Sequence, residues 1–203
     1  AQDAWETPLE KAFPTKTDEI ELARPQAITY NRRGPARSKL TVVRPRVFIP
    51  VFPGTNCEYD TKKRFEAAGA ETDVFVIQNL TPAAIEESIQ VMAAKIRESQ
   101  IIMLPGGFSA GDEPEGSGKF IAAVFRNPRI RDEVMELLKN RDGLMLGICN
   151  GFQALIKLGL VPYGEIRDID ESQPTLTYNR IGRHQSMMVK TRGCSVLSPW
   201  RAR

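Results

Sequence analysis

Residues 144–153 read Leu-Met-Leu-Gly-Ile-Cys-Asn-Gly-Phe-Gln and carry the clearest structural signal in the chain. The apolar run Leu144–Ile148 predicts a buried strand, and the apolar periodicity of Asn150–Leu158 predicts a helix that ends at Gly159. Cys149 lies at the junction between the two, with a glycine two residues before it and another two residues after it. This is the layout of a nucleophile elbow, with sulfur in place of oxygen.

Short apolar runs alternate with helical patterns along the chain before this elbow. The predicted strands before it span residues 47–51, 72–77 and 101–104. The predicted helices run from a Thr55/Glu58 capping box to Gly69, from a Thr81 cap through Ile96, and over about 118–126 and 129–139. This alternation predicts an α/β fold, a flavodoxin-like open parallel sheet with helices on both faces.

The chemistry of such a sheet lies at the carboxyl ends of its strands. The loops of interest are therefore 52–58, 105–119 and 147–153. Residues 1–44 lack a sustained period and contain Pro8, Pro14, Pro25 and Pro35. We interpret them as a connector that precedes a domain of residues 45–203. Near the end of the chain, Leu176–Tyr178 and Met187–Val189 are predicted to form antiparallel strands.

The composition argues against several classes of protein. The 203 residues include 41% hydrophobic and 26% charged residues, as in an ordinary globular protein. The formal net charge of only +3 gives no reason to expect a nucleic-acid partner. No apolar run reaches the roughly 20 residues that a membrane span requires. Three cysteines without zinc-ligand spacing indicate reduced thiols, a cytoplasmic location and no metal site.

Cys149 is the candidate nucleophile. The N-terminus of the following helix stabilises negative charge at the turn. The backbone N–H of Asn150 faces the position where an oxyanion would form, and Gly106 or Gly107 would supply a second donor if their strand neighbours that of Cys149. The alternatives are a structural cysteine at a strand end and, for the two glycines, an ordinary turn.

Three strings of residues carry a resemblance to a known family. Pro105-Gly106-Gly107-Phe108-Ser109, together with Gly147–Gln153, resembles the class I (triad) glutamine amidotransferases. With Phe52-Pro53-Gly54-Thr55-Asn56-Cys57 added, residues 45–200 are most similar to the glutaminase part of phosphoribosylformylglycinamidine synthase. The opening Trp5–Glu10 segment resembles the connector of the large, fused form of that enzyme. The resemblance implies a ligase of purine biosynthesis that takes its nitrogen from glutamine.

The resemblance also implies a role for each matching residue. Cys149 would attack the glutamine amide and form a glutamyl thioester, with Asn150 and a Gly106 or Gly107 amide as oxyanion donors. Gln153 would contact the bound glutamine, and the further loop contacts would be Phe108 and Ser109. The released ammonia would pass to a synthetase domain outside this chain. ATP and Mg²⁺ would bind there, so no cofactor is expected in these residues.

One part of the family's pattern does not match. In the family, a histidine oriented by a glutamate, both downstream of the elbow, acts as base toward the cysteine. The only histidine here, His184, lies in a segment unlike the catalytic one and is expected at a surface or interface. Glu165 and Glu171 lack the context of the triad acid. We therefore expect a C-terminally truncated domain whose catalytic pair lies beyond Arg203, and very poor glutamine hydrolysis by these residues alone.

Two other functional classes compete with an amidotransferase. A cysteine-elbow protein related to stress-response proteins or peptidases would share the turn, but it typically lacks Gln153 and the Pro105–Ser109 loop. A non-catalytic docking module of a synthetase would keep the fold without a base, but it would not need Cys149 between two glycines. For Cys57 the alternatives are a residue that lines the site or a partner surface and a structural thiol, and we expect the structural thiol. The glycines of residues 106–119 do not have P-loop spacing.

Overall fold

Strands and helices alternate along the chain, as the sequence predicts. The computed structural model describes residues 42–108, 118–168, 170–176 and 186–190, and single positions at Ala4, Thr7, Pro8, Glu10, Ala12, Asn179 and Trp200. Its strands are β1 (Arg46–Val51), β2 (Glu71–Val76), β3 (Ile101–Leu104) and β4 (Leu144–Gly147). Its helices are α1 (Glu58–Ala67), α2 (Pro82–Glu98), α3 (Lys119–Phe125), α4 (Pro128–Lys139), α5 (Asn150–Leu158) and α6 (Leu160–Tyr163). All of these elements belong to one compact unit, Lys39–Thr177.

The described strands form one parallel sheet in the order β2-β1-β3-β4. β1 pairs with β2 from Arg46 to Val51, and β3 pairs with β4 from Ile101 to Leu104. Because β2 and β3 lie on opposite sides of β1, the strand order reverses there. Such a reversal leaves a crevice for ligands outside the carboxyl ends of the strands. The predicted flavodoxin-like α/β fold, with the strand of Gly106 beside that of Cys149, is confirmed.

Helices cover both faces of this sheet. The larger hydrophobic cluster joins β1 and β3 to α2, α3, α4 and α5, and its fully buried members include Phe48, Met92, Ile102, Phe125, Ile130 and Leu158. The smaller cluster lies on the opposite face, since neighbouring residues of a strand point to opposite sides. There Phe65 of α1 packs against a patch formed by Val47, Ile49, Ile101 and Met103. The helix that follows Cys149 is therefore anchored in the larger cluster.

Two predicted helix ends agree with the structure. Thr81 caps α2, because its side-chain oxygen accepts a hydrogen bond from the N–H of Ala84 at 3.1 Å. Gly159 ends α5 in the left-handed conformation, with a φ of 86°, which a glycine adopts without strain. The sequence therefore fixes the start of α2 and the end of α5 through local hydrogen bonding and backbone sterics.

The predicted capping box of Thr55 and Glu58 is wrong. Cys57 occupies the N-cap of α1, and no side-chain hydrogen bond caps this helix. Thr55 instead closes a turn with Phe52: its Oγ1 accepts a hydrogen bond from the Phe52 N–H at 3.1 Å, and its own N–H donates to the Phe52 carbonyl at 2.9 Å. The Thr55 hydroxyl is thus used in the loop that precedes the helix.

The far end of α1 is tied to β2 by polar side chains. The Glu66 carboxylate pairs with the Lys62 ammonium and accepts a hydrogen bond from Thr72 Oγ1 at 2.8 Å. These hydrogen bonds, from Lys62 first and then from Thr72, lower the pKa of Glu66 below its usual value. The contact links the last turn of α1 to the edge strand of the sheet.

The predicted strand at Met187–Val189 is wrong. These residues have no regular secondary structure, and their side chains are exposed, Met188 completely so. Of its predicted partner, Tyr178 and Thr177 lie outside the described residues, as does nearly all of the predicted connector, residues 1–44. The proposed boundary at residue 45 therefore stays a prediction. No helix of the described ranges is long and apolar enough to cross a membrane.

Candidate active site

Cys149 lies in a sharp turn between β4 and α5. Its φ of 52° and ψ of −109° are strained for a residue with a side chain, and it occupies the N-cap of α5. The N–H of Ile148 continues the sheet by donating to the Leu104 carbonyl at 3.1 Å, and the N–H of Gly151 already folds back on the Ile148 carbonyl at 2.9 Å. The chain thus passes from strand to helix within two residues and leaves the thiol exposed at the sheet edge.

Two glycines make this turn possible. A Cβ on Gly151 would lie 2.1 Å from the carbonyl oxygen of Leu104, and one on Gly147 would lie 2.6 Å from the carbonyl oxygen of Gly151. Neither obstacle is a flexible side chain, so the backbone itself would have to move. The glycines around Cys149 are therefore required by close packing of α5 on β3 and β4, as the spacing in the sequence predicts.

The loop that follows β3 is held by the loop that follows β1. Thr55 and Gly107 form an antiparallel bridge, in which the Asn56 N–H donates to the Gly106 carbonyl at 3.4 Å and the Phe108 N–H donates to the Gly54 carbonyl at 2.8 Å. In such a bridge the N–H of the paired residue points away from the partner segment. The Gly107 N–H is therefore directed away from residues 54–56. Gly107 itself has a φ of 139°, and a Cβ there would lie 2.5 Å from the Gly54 carbonyl oxygen.

Gly106 lies between two cysteines. A Cβ built on it would lie 3.4 Å from the Cβ of Cys149 and 3.5 Å from the Sγ of Cys57. Both thiols are free and exposed. Cys57 is thus placed at the candidate site rather than in the core, contrary to the expectation of a structural thiol. The sequence alone could not show this, because the contact depends on the order β1-β3-β4.

Among the remaining predicted site residues, Asn150 and Gln153 lie in the first turn of α5, and Phe108 lies in the glycine loop that follows β3. Asn150 is 1% exposed, and its side-chain amide donates to the Gln153 Oε1 at 3.3 Å within the first turn of α5. Phe108 is 55% exposed beside the bridge. Ser109 and His184 lie outside the described residues. Asn150, Gln153 and Gly106 are therefore brought to the same edge as Cys149.

One predicted non-catalytic acid, Glu165, and the far end of α5 are held by polar contacts. The Glu165 carboxylate pairs with the Lys139 ammonium at 3.1 Å. At the last turn of α5, the Arg126 guanidinium donates to the Lys157 carbonyl at 2.6 Å, and the buried Gln173 side chain donates to the Ile156 carbonyl at 3.0 Å. The Ile156 carbonyl also accepts from the Gly159 N–H at 3.0 Å, so these side chains add to the backbone hydrogen bonds at the end of the helix.

An apolar groove borders the elbow on the face covered by α1. Its volume is about 390 Å³, and its floor is formed by Met103, Leu146 and Ile148, with α1 residues Arg64 and Phe65 on its wall. Ile148, directly before Cys149, is 52% exposed there. Among the described residues, no group of three or more His, Cys, Asp or Glu side chains could hold a metal ion.

A known domain family covers most of the chain. Residues 44–202 match the CobB/CobQ-like glutamine amidotransferase domain. The chain belongs to this family. The family assignment agrees with the resemblance of the elbow and of the loop after β3, and its match begins close to the predicted domain boundary at residue 45.

Individual members of the family are similar over much of the chain. A phosphoribosylformylglycinamidine synthase subunit PurQ from Methanococcus maripaludis is 37% identical over 161 residues, which cover 75% of this chain and 55% of that protein. The subunit PurQ from Dehalococcoides mccartyi is 38% identical over 133 residues, 66% of this chain and 46% of that protein. The chain thus spans about half the length of the curated relatives that it matches.

A solved structure is also similar in sequence. The structure of PurLQS from Thermotoga maritima is 31% identical, with a TM-score of 0.40, and the match covers 58% of this chain and 45% of that chain.

Proposed function

We propose that the chain is the glutamine-hydrolysing part of a phosphoribosylformylglycinamidine synthase. The observation that carries the proposal is the strained elbow of Cys149, which presents an exposed thiol at the N-terminus of α5 beside the glycine loop after β3. A family of glutamine amidotransferases and relatives named as PurQ subunits of that synthase support it.

In this proposal, the sulfur of Cys149 attacks the side-chain amide carbon of glutamine. The carbonyl oxygen becomes an oxyanion, which the N–H of Asn150 and the N–H of Gly106 or Gly107 stabilise. Ammonia leaves when the tetrahedral intermediate collapses to a glutamyl thioester, and water then releases glutamate. The direction of the Gly107 N–H, away from the bridge with Thr55, supports its assignment as a donor.

Three side chains complete the proposed site. Gln153 contacts the bound glutamine, and its hydrogen bond with Asn150 fixes the first turn of the helix. Phe108 and Ser109 contact the substrate from the glycine loop. Their position in the sequence next to Gly107 supports this role, and the exposure of Phe108 leaves its ring accessible to a ligand.

We propose that these residues do not supply the base that activates the thiol. His184 is the only histidine of the sequence, and we assign it to a surface or interface. The Glu165 carboxylate is engaged by Lys139. A catalytic histidine and its glutamate are therefore proposed to come from outside residues 1–203, and these residues alone are proposed to hydrolyse glutamine very slowly.

The ammonia is proposed to be used by a synthetase partner. That partner would convert formylglycinamide ribonucleotide to formylglycinamidine ribonucleotide in purine biosynthesis, in the cytoplasm, where the free thiols Cys57 and Cys149 would stay reduced. ATP and Mg²⁺ belong to the synthetase in this proposal, and no step on this chain uses them.

Glutamate release from glutamine tests the proposal. It should be measured with the full-length protein that carries these residues, in the presence of the synthetase, its ribonucleotide substrate and ATP. Cys149→Ala is expected to lower release by more than about a thousandfold, because removal of a catalytic nucleophile has effects of at least this size. His184→Ala is the matched control and is expected to leave release unchanged.

Each outcome separates the competing functions. Release that survives Cys149→Ala would exclude the thioester mechanism. No release from the wild-type complex would favour the non-catalytic docking module. A loss of release in His184→Ala, with the fold intact by circular dichroism, would make His184 the base and place the catalytic pair inside this chain.

A further inference from the structure

Both exposed cysteines of the described residues occupy the same kind of position. Cys57 is the N-cap of α1 and Cys149 is the N-cap of α5, and neither helix has a side-chain hydrogen bond at its cap. Both helices begin at the carboxyl edge of the sheet, on the two sides of β3. The proposed glutaminase mechanism uses only one of these thiols, so the second has no assigned role.

The space between the two cysteines is open because residue 106 is a glycine. The point where a Gly106 Cβ would lie is 3.5 Å from Cys57 Sγ and 3.4 Å from Cys149 Cβ, which are ordinary contact distances. No side chain therefore separates the two residues across this point. The Cys57 S–H has only the exposed Asn56 Oδ1 as its hydrogen-bond acceptor among the described contacts, at 3.3 Å. A disulfide would form across this space once both side chains turn toward it.

We propose that Cys57 and Cys149 form a peroxide-responsive thiol pair, in which Cys57 converts oxidised Cys149 into a reversible disulfide. The pair goes beyond the proposed function, because its formation requires neither glutamine nor a synthetase. While the disulfide persists, the Cys149 sulfur is unable to attack a substrate. The disulfide also protects this sulfur from irreversible oxidation to sulfinic acid.

The two steps balance with a hydroperoxide as the oxidant. The Cys149 thiolate attacks one oxygen of the peroxide, the O–O bond breaks, and Cys149 becomes a sulfenic acid while the peroxide is reduced to water or an alcohol. Cys57 then attacks the sulfenic sulfur, the S–S bond forms, and the S–O bond breaks with loss of water. A dithiol then reduces this disulfide by thiol–disulfide exchange, which returns Cys57 and Cys149 to thiols and oxidises the dithiol to a disulfide.

The pair is tested by treating the protein with hydrogen peroxide and mapping its peptides by mass spectrometry. Trypsin should release residues 47–62, with Cys57, and residues 142–157, with Cys149. The expected product is these two peptides joined, at a mass two hydrogens below their sum, and dithiothreitol should separate them. Alkylation of Cys149 by iodoacetamide should be lost when the joined peptide forms and regained when dithiothreitol separates it.

Three variants make the test specific. Cys57→Ser places a favoured N-cap residue at the start of α1 and should therefore fold, but Cys149 should accumulate as sulfenic and sulfinic acid. Cys194→Ser, the matched control at the third cysteine, should still form the joined peptide. Gly106→Ala puts a methyl group into the space between the two cysteines, so this variant should form little of the joined peptide.

The opposite results would overturn the proposal. One is a wild-type protein in which Cys149 passes to sulfinic acid with no joined peptide. Another is a Gly106→Ala variant that forms the disulfide at the wild-type rate, because the pair would then close by a route other than the space above Gly106. A joined peptide that contains Cys194 in place of Cys57 would also contradict it.

Discussion

The two loops that carry the exposed cysteines reach the same edge of the sheet in different ways. After β4, the chain enters α5 through Ile148 and Cys149 alone, and Cys149 takes a strained φ of 52°. After β1, the longer Phe52–Cys57 loop leads into α1, and Cys57 has an ordinary φ of −110°. The short junction is shaped by glycines packed against backbone, and the long one by a threonine side chain and a bridge to Gly107.

This difference shows two ways of positioning a reactive group. The β4–α5 junction is tightly packed, because its glycines lie against backbone atoms. The residues that determine its geometry are adjacent in the sequence. The β1–α1 junction is held by hydrogen bonds to a loop that is distant in sequence, and through Asn56 and Gly54 it positions the glycine loop. One junction therefore presents the thiol, while the other supports the loop beside it.

The largest expected effect breaks the short junction. Gly151→Ala should lower the free energy of unfolding by about 3 kcal/mol, because the new Cβ would lie 2.1 Å from the Leu104 carbonyl oxygen. Gly69→Ala is the matched control: Gly69 has a φ of +91° with nothing within 4 Å, so only backbone strain of about 1 kcal/mol is expected. Urea unfolding measures both. Equal losses would mean that α5 can move away from β3 at little cost.

An intermediate effect is expected when the long junction loses its threonine hydroxyl. Thr55→Val removes the acceptor of the Phe52 N–H and should cost about 1–2 kcal/mol in the free energy of unfolding. Hydrogen exchange of the Phe108 amide should become faster, because its bond to the Gly54 carbonyl depends on the same turn. Both are measured on the purified protein, by urea unfolding and by NMR.

Thr81→Ala is the control for this second effect. It removes the cap of α2 and should cost about 1 kcal/mol, while exchange at Phe108 stays at the wild-type rate. If both variants change exchange at Phe108 equally, the turn at Thr55 does not hold the glycine loop and the contrast between the two junctions is wrong.

The smallest effect concerns the far end of α1. Hydrogen bonds from Lys62 and Thr72 lower the pKa of Glu66 in the folded protein from its usual value of 4.5. The ionised carboxylate therefore stabilises the fold at a pH above 4.5. This contribution is lost as the pH falls through the lower, folded value. Glu66→Gln should therefore be slightly less stable than the wild type above pH 4.5 and equally stable in more acidic solution. Parallel unfolding curves at several pH values measure it; a constant difference would exclude ionisation of Glu66 as the cause.

The fold could be predicted largely from local patterns. The apolar runs at β3 and β4, the Thr81 cap and the terminal Gly159 are signals carried by neighbouring residues, and the structure agrees with them. The Thr55 cap failed because its hydroxyl turns back to Phe52, and that turn is stabilised by Gly107. The strand at Met187–Val189 failed because an apolar triplet does not establish a pairing partner.

The candidate site also has one part that the sequence predicts and one part that it does not. The elbow around Cys149 could be predicted, because its glycines are adjacent in sequence and the turn needs them. The position of Cys57 could not, because it follows from strand order, which brings the loop after β1 beside the loop after β3. The position of Cys57 directly before a predicted helix is a signal for a site residue. The general tendency of lone cysteines to be buried favours a structural thiol more strongly.

The contact between Arg126 and the last turn of α5 has an electrostatic consequence for the elbow. A helix is a dipole, and its negative end normally offsets part of the field that its positive end produces. Here a guanidinium donates to the Lys157 carbonyl and compensates that negative end. The positive charge of Arg126 thus offsets the carbonyl charges at the last turn, so that the far end of α5 opposes the field at the elbow less.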